Sequence, residues 1–164
     1  MIVVADTTPI ITLLKINHLR ILQELYGTVH IPWAVYEELT ENADFPDEAR
    51  TIETCQFIIV HDDISSDRVD LLRRATGLDL GESEAIILAD SKDTKALIID
   101  ESRGRSVAEQ MGIPITGVIG ILMAAYKKGL LSADEIRNSV DTMRLSNRFI
   151  AESLYRLLLS ILGT

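Results

Sequence analysis

Cysteine is almost missing from this chain: Cys55 stands alone. An intramolecular disulfide and a cysteine-based zinc site are therefore excluded. Cys55 is expected to be a small, partly buried residue without chemistry. Histidine is scarce too, and His18, His30 and His61 lack metal-ligand spacing. No apolar run is long enough to span a bilayer. The opening Met1-Ile2-Val3-Val4 carries no basic leader, so no secretion signal is read and a cytoplasmic location away from membranes is expected. Repeats, low-complexity tracts and linkers are also lacking. The 164 residues are expected to form one domain. Positive charge is in deficit, with a net charge of −9, which argues against broad nucleic-acid binding by phosphate neutralisation.

Apolar residues are plentiful at 47 %, which rules out disorder and supplies a core. Short, continuous apolar runs at 2–5, 28–31, 57–60, 96–99 and 113–116 predict strands covered on both faces, as in parallel sheets. Helical patterns fall between them. One starts near Pro9, one runs from Leu19 to a stop at Gly27, and one opens at Pro32. Others cover 44–54, 65–76, 82–93, 102–111, 117–129 and 132–145, with Ser132 as a cap three residues before Glu135. A last helix is predicted from about 147 to 162, with Phe149, Ile150, Leu154, Leu157, Leu158 and Ile161 as its stripe. The helices of 132–162 are expected to close the core or to pack on a second subunit. Strands alternating with helices predict a three-layer α/β fold with right-handed crossovers.

Charge is uneven along the chain. Between Glu37 and Asp70 eleven acids face only Arg50 and Arg68, whereas bases outnumber acids from Lys127 to Arg156. The acids that matter most close predicted strands. Asp6 ends the first strand and is followed by Thr7-Thr8-Pro9; Asp100-Glu101 ends the fourth. Glu37-Glu38 follows Ile31-Pro32, and Glu82 and Glu84 stand at a helix start behind Gly81. A carboxylate at the exit of a buried strand is costly unless compensated. Several gathered together raise one another's pKa, and a hard divalent cation such as Mg²⁺ or Mn²⁺ relieves the repulsion. With strand order 3-2-1-4-5, Asp6 and Asp100 leave neighbouring strands at the switch point, where sites of open parallel sheets lie. Glu82 and Glu84 are roughly 200° apart on a helix, so only one of them faces such a site. The competing structural roles are a helix cap at Asp6, a helix cap at Asp100, and dipole compensation at Glu82 or Glu84.

Four segments together resemble the PIN-domain family. They are Val3-Val4-Ala5-Asp6-Thr7-Thr8-Pro9, Ile31-Pro32-Trp33-Ala34-Val35-Tyr36-Glu37-Glu38-Leu39, Leu80-Gly81-Glu82-Ser83-Glu84-Ala85, and Leu97-Ile98-Ile99-Asp100-Glu101-Ser102-Arg103-Gly104-Arg105. The Gly-Glu-x-Glu-Ala helix start, with Ile115-Thr116-Gly117-Val118 further on, resembles the prokaryotic branch related to VapC-type toxins. The resemblance covers roughly residues 1–130. It implies a parallel five-stranded sheet of order 3-2-1-4-5 and a ribonuclease centre dependent on Mg²⁺ or Mn²⁺. The implied acids are Asp6, Glu38, Glu82 or Glu84, and Asp100 or Glu101. Thr8 would support Asp6, and Arg103 and Arg105 would hold substrate phosphates, or Arg103 would neutralise Glu101. RNA substrate and a small antitoxin protein are the implied partners, and a second copy of the chain is expected from the helical, apolar C-terminal residues. The departures are Glu in place of Asp at the third acid and Glu101 in place of a second Asp. A noncatalytic PIN-like binding module is the alternative.

Overall fold

The computed structural model describes residues 1–41, 44–145 and 152–163. Five strands form one sheet: β1 (Ile2–Ala5), β2 (Val29–Pro32), β3 (Ile58–His61), β4 (Thr94–Ile98) and β5 (Ile115–Thr116). Their order is β3-β2-β1-β4-β5, and every pair is parallel. This is the expected α/β architecture. The register of β1 on β4 runs to Ala5 opposite Ile98, so both strands leave the sheet at the same rim. The Asp6 amide donates to the Ile98 carbonyl at 3.0 Å, which ties the two exits together.

Ten helices are described. In order they are α1 (Thr7–Lys15), α2 (Ile21–Tyr26), α3 (Trp33–Thr40), α4 (Pro46–Glu53) and α5 (Ser66–Thr76). Then come α6 (Leu80–Ser91), α7 (Ser102–Gln110), α8 (Val118–Lys127), α9 (Ala133–Leu145) and α10 (Glu152–Ile161). They cover both faces of the sheet, because successive strand residues point to opposite sides. Val3 and Ala5 join a core with Ile10, Leu13, Leu22, Leu122, Ile136 and Leu158. Val4, Leu97 and Ile99 join the opposite core with Ala85, Ile86, Leu88 and Ala108. Continuous apolar strands are thus explained by two buried faces. The edge strand β3 is the exception, with Ile59 and Val60 exposed.

Local signals place most boundaries. Gly77 adopts φ 74° and ends α5, a conformation that costs glycine nothing. Ser132 and Glu135 form reciprocal bonds, Ser132 Oγ accepting from the Glu135 amide and Glu135 Oε1 from the Ser132 amide. Helix α6 starts at Leu80, two residues before the predicted position, because Asp79 builds a capping box with Glu82. Strand β4 runs Thr94–Ile98 rather than 96–99. Of the predicted last helix, 147–151, with Phe149 and Ile150, lie outside the described residues. Leu158 and Leu162 are buried in the first core, so α10 packs on this chain.

Candidate active site

The carboxyl rim of the sheet gathers acids from four segments. Asp6 follows β1, Glu38 lies on α3 after β2, Asp79 and Glu82 sit at the start of α6, and Glu101 precedes α7. Their proximity shows in their ionisation. Asp6 is 2 % exposed, and burial pushes its carboxyl from 3.8 up to about 7. The Thr7 amide opposes this, while the charges of Asp79, Glu38 and Glu101 add to it. Glu82 is driven from 4.5 up to about 8. Burial acts first there, followed by the neighbouring Glu101 carboxyl and the charge of Asp79. Glu38 is also raised, by burial first and then by Asp79 and Glu101, against the Thr7 hydroxyl. These are the like-charge and desolvation effects expected of converging carboxylates.

Each acid is aimed by its surroundings. Glu82 is locked by the capping box: its amide donates to Asp79 Oδ1 at 2.8 Å, and its Oε2 accepts from the Asp79 amide at 3.4 Å. Gly81 leaves room for the Glu38 carboxylate, which would collide with a Cβ there. Thr8 Oγ1 donates to Glu101 Oε1 at 3.3 Å. Support for Asp6 from Thr8, implied by the family resemblance, is thus replaced by support for Glu101. The reason is position: Thr8 lies in the first turn of α1, within hydrogen-bond reach of Glu101 at the β4 exit.

The remaining expected residues fall around this cluster. Asp100 accepts from the Val118 amide at 3.2 Å, which places its carboxylate at the start of α8. Gly117 permits this, since a Cβ there would strike the Asp100 carboxylate. At the β4 exit, Glu101 acts on Asp6, Glu38 and Glu82. Glu84 turns toward α3. Burial raises it first, the Ala34 amide opposes, and Glu37 and Glu38 add to the rise. Glu82 and Glu84 therefore face different neighbours, as their helical spacing requires. Glu37 accepts a hydrogen bond from the Trp33 indole. Arg103 donates to the Thr76 carbonyl rather than pairing Glu101, and Arg105 donates to the Ile99 carbonyl at 2.8 Å. Asp79 is not among the residues expected from the sequence. Its signal is nonetheless there, as an Asp three residues before a Glu at the head of an apolar helix.

Among the described residues, no three Asp, Glu, His or Cys side chains already form a metal cage. The donor chemistry nonetheless suits a hard divalent cation, which prefers carboxylate oxygens. Glu82 Oε1 is buried at the cluster and makes no hydrogen bond. A buried oxygen without a partner costs free energy that a bound cation would offset.

A parallel α/β sheet with carboxylates converging on its carboxyl rim has the architecture of a nuclease-type protein. A family profile described as a PIN domain matches residues 2–164, and the chain belongs to the PIN-domain family. PIN domains are generally nucleases and typically use divalent metals. Neither the curated proteins nor the solved structures yield a match. Among the described residues, no helix is long and apolar enough to cross a membrane.

Proposed function

We propose that this chain is a ribonuclease that hydrolyses RNA phosphodiester bonds with Mg²⁺ or Mn²⁺. The observation that carries the reading is the convergence of Asp6, Glu38, Glu82 and Glu101 on one rim, with Asp6 and Glu82 raised to about 7 and 8. Asp6 and Glu82, with Glu38 and Glu101 at the mouth, would hold the cation. A bound cation of this kind lowers the pKa of water and stabilises charge on a phosphoryl oxygen. The chain's own part is to orient and to store protons. Thr8 fixes Glu101, the capping box fixes Glu82, and buried Asp6 would have to give up its proton to serve as a ligand. Resemblance to the VapC-related branch further supports a toxin role, with a small antitoxin protein and a homodimer as its assembly.

A second reading has one observation in its favour: no preformed cage exists among the described acids. On that reading the chain is a noncatalytic PIN-like binding module. Mn²⁺ calorimetry and cleavage of a labelled RNA separate the two. The catalytic reading expects Mn²⁺ heat and Mn²⁺-dependent cleavage. It also expects Asp6→Asn to lose more than about a hundredfold in rate, the upper range for losing even an outer-shell metal partner, while the fold persists. Cleavage by Asp6→Asn at the parent rate would sink it.

A further inference from the structure

Outside the acid cluster, a groove of about 880 Å³ lies at the end of α5. It is lined by Asp67, Asp70, Arg73, Arg74, Gly77 and Leu78. The two arginines lie in the last turn of α5, and both are exposed. Neither makes a side-chain hydrogen bond or ion pair among the described residues, in contrast to Arg68, which is paired with Asp90. A third guanidinium enters from α7. Arg103 donates to the Thr76 carbonyl, and one of its nitrogens would lie 3.2 Å from a Cβ at Gly77. Arg103 thus reaches the groove at Gly77, next along the chain from the turn of α5 that carries Arg73 and Arg74, while Asp67 and Asp70 lie nearer the start of that helix. Some positive charge at a helix C-terminus is ordinary dipole compensation. Two features exceed that role: the concave shape, and the contribution of Arg103 from a separate element.

The position of the basic end is informative. Gly77 is followed by Leu78, which is buried, and then by Asp79 of the acid cluster. Two Cα steps separate groove and cluster, a span of at most about 7 Å. In a molecule of net charge −9, a polyanion is repelled from most of the surface. A concentration of guanidinium beside the acids gives it a favourable approach. Guanidinium is suited to this, because its planar fork matches two oxygens of a phosphate.

We propose that the basic end of the groove, lined by Arg73 and Arg74 with Arg103 beside Gly77, seats backbone phosphate of a single RNA strand and delivers the adjoining linkage to the acid cluster. This rests on the ribonuclease reading and adds the route by which substrate arrives. Arg73 and Arg74 are positioning residues: they touch the strand away from the bond that breaks. Because only phosphate is contacted, the groove selects a polynucleotide backbone and no base sequence.

The test is a binding titration in chelator, where no cleavage occurs, using a fluorescent twelve-nucleotide single-stranded RNA and anisotropy at several salt concentrations. The variants are Arg73→Ala/Arg74→Ala and, as a control of equal charge, Lys127→Ala/Lys128→Ala at the far end of α8. The groove variant is expected to bind at least tenfold more weakly, with the salt slope reduced by about 2, roughly one for each phosphate no longer neutralised. The control is expected to stay within twofold of the parent. Equal weakening in both variants, or no measurable binding by the parent at low salt, would overturn the proposal. So would displacement of the RNA by poly-glutamate at matched charge, which would assign the groove to an acidic protein. Cleavage with Mn²⁺ is then measured separately. A parent that cleaves while the groove variant keeps its KM removes the groove and leaves the ribonuclease. A parent that binds through the groove yet never cleaves removes the ribonuclease and leaves the groove.

Discussion

Metal-free protein should lose stability as pH rises from 3.8 to about 7, and Asp6→Asn should abolish much of that loss. The Asp6 carboxyl has a folded pKa of about 7 against 3.8 when unconstrained. Below pH 3.8 it is protonated in both states and contributes nothing to the pH dependence. Between pH 3.8 and 7 the unfolded chain releases the proton and the folded chain keeps it. Unfolding then releases protons, so stability falls with rising pH until the folded carboxyl also ionises near 7. The shift spans about three pH units, or roughly 4 kcal/mol at ~1.4 kcal/mol per unit. That is a large share of the stability of an ordinary domain. Asn keeps the shape of a protonated carboxyl and has no proton to lose. Melting followed by circular dichroism in EDTA should show the variant and parent close together at pH 4. By pH 8 the variant should melt higher by several degrees, at roughly 2–4 °C per kcal/mol for a chain of this length. Adding Mn²⁺ at pH 8 should raise the parent and leave the variant unmoved. Parallel pH curves for the two proteins in EDTA would refute the burial and charge repulsion assigned to Asp6.

Other perturbations test different parts of the structure. Gly81→Ala should leave melting within a few degrees yet weaken Mn²⁺ binding by calorimetry at least about tenfold, because its Cβ displaces the Glu38 carboxylate. Glu101→Gln should lower the Glu82 carboxyl toward its ordinary range, since it removes one charge beside it; carboxyl titration by NMR reads this directly. His30 Nδ1 and His61 Nε2 stand 2.8 Å apart, and burial, then His61 and Lys92, hold His30 below 6.5. Stability from this pair is present above pH 6.5 and lost as pH falls through the lower folded value, so His61→Gln should flatten the acid side of the melting curve. Leu122→Ala, at a fully buried position, should cost about 2–5 kcal/mol in urea unfolding without altering metal affinity.

What can be read from the residues is whatever depends on short-range pattern. Ile2–Ala5 and Ala96–Ile99 are apolar without alternation because both faces of β1 and β4 are buried, and that pattern alone marks a parallel sheet. The family resemblance then supplies strand order. Directions of side chains are the harder matter. Asp100 and Glu101 are adjacent, and no spacing rule says which turns inward. Asp100 meets the Val118 amide and the space left by Gly117, partners that lie far along the chain from it. Thr8 likewise bonds across to Glu101, a partner 93 residues away. Asp79 is a different case. Its spacing to Glu82 is legible as a capping box, but the helical pattern is strong only from Glu82 onward, which leaves the cap outside it.

The structural roles open to these acids do not account for all of them. Asp79 is fully employed as a cap, and Glu82 returns the bond. Asp100 caps α8. Asp6 is the decisive residue, because it occupies the N-cap position of α1 and yet its side chain makes no capping hydrogen bond. An Asn or Ser there could serve the helix without burying a carboxyl among Glu38, Asp79 and Glu101. The cluster also leaves Glu82 Oε1 buried without a partner. A sequence shaped for stability alone has less costly choices at both positions. Carboxylates kept where they repel one another and strain the folded state are what a cation-holding site requires when no cation is bound. The groove beside Asp79 follows the same logic with the opposite charge at its α5 C-terminal end, where Arg73 and Arg74 pair with no acid among the described residues. An anionic strand held there would bring its phosphodiester to the rim where bound cations would outweigh the acids.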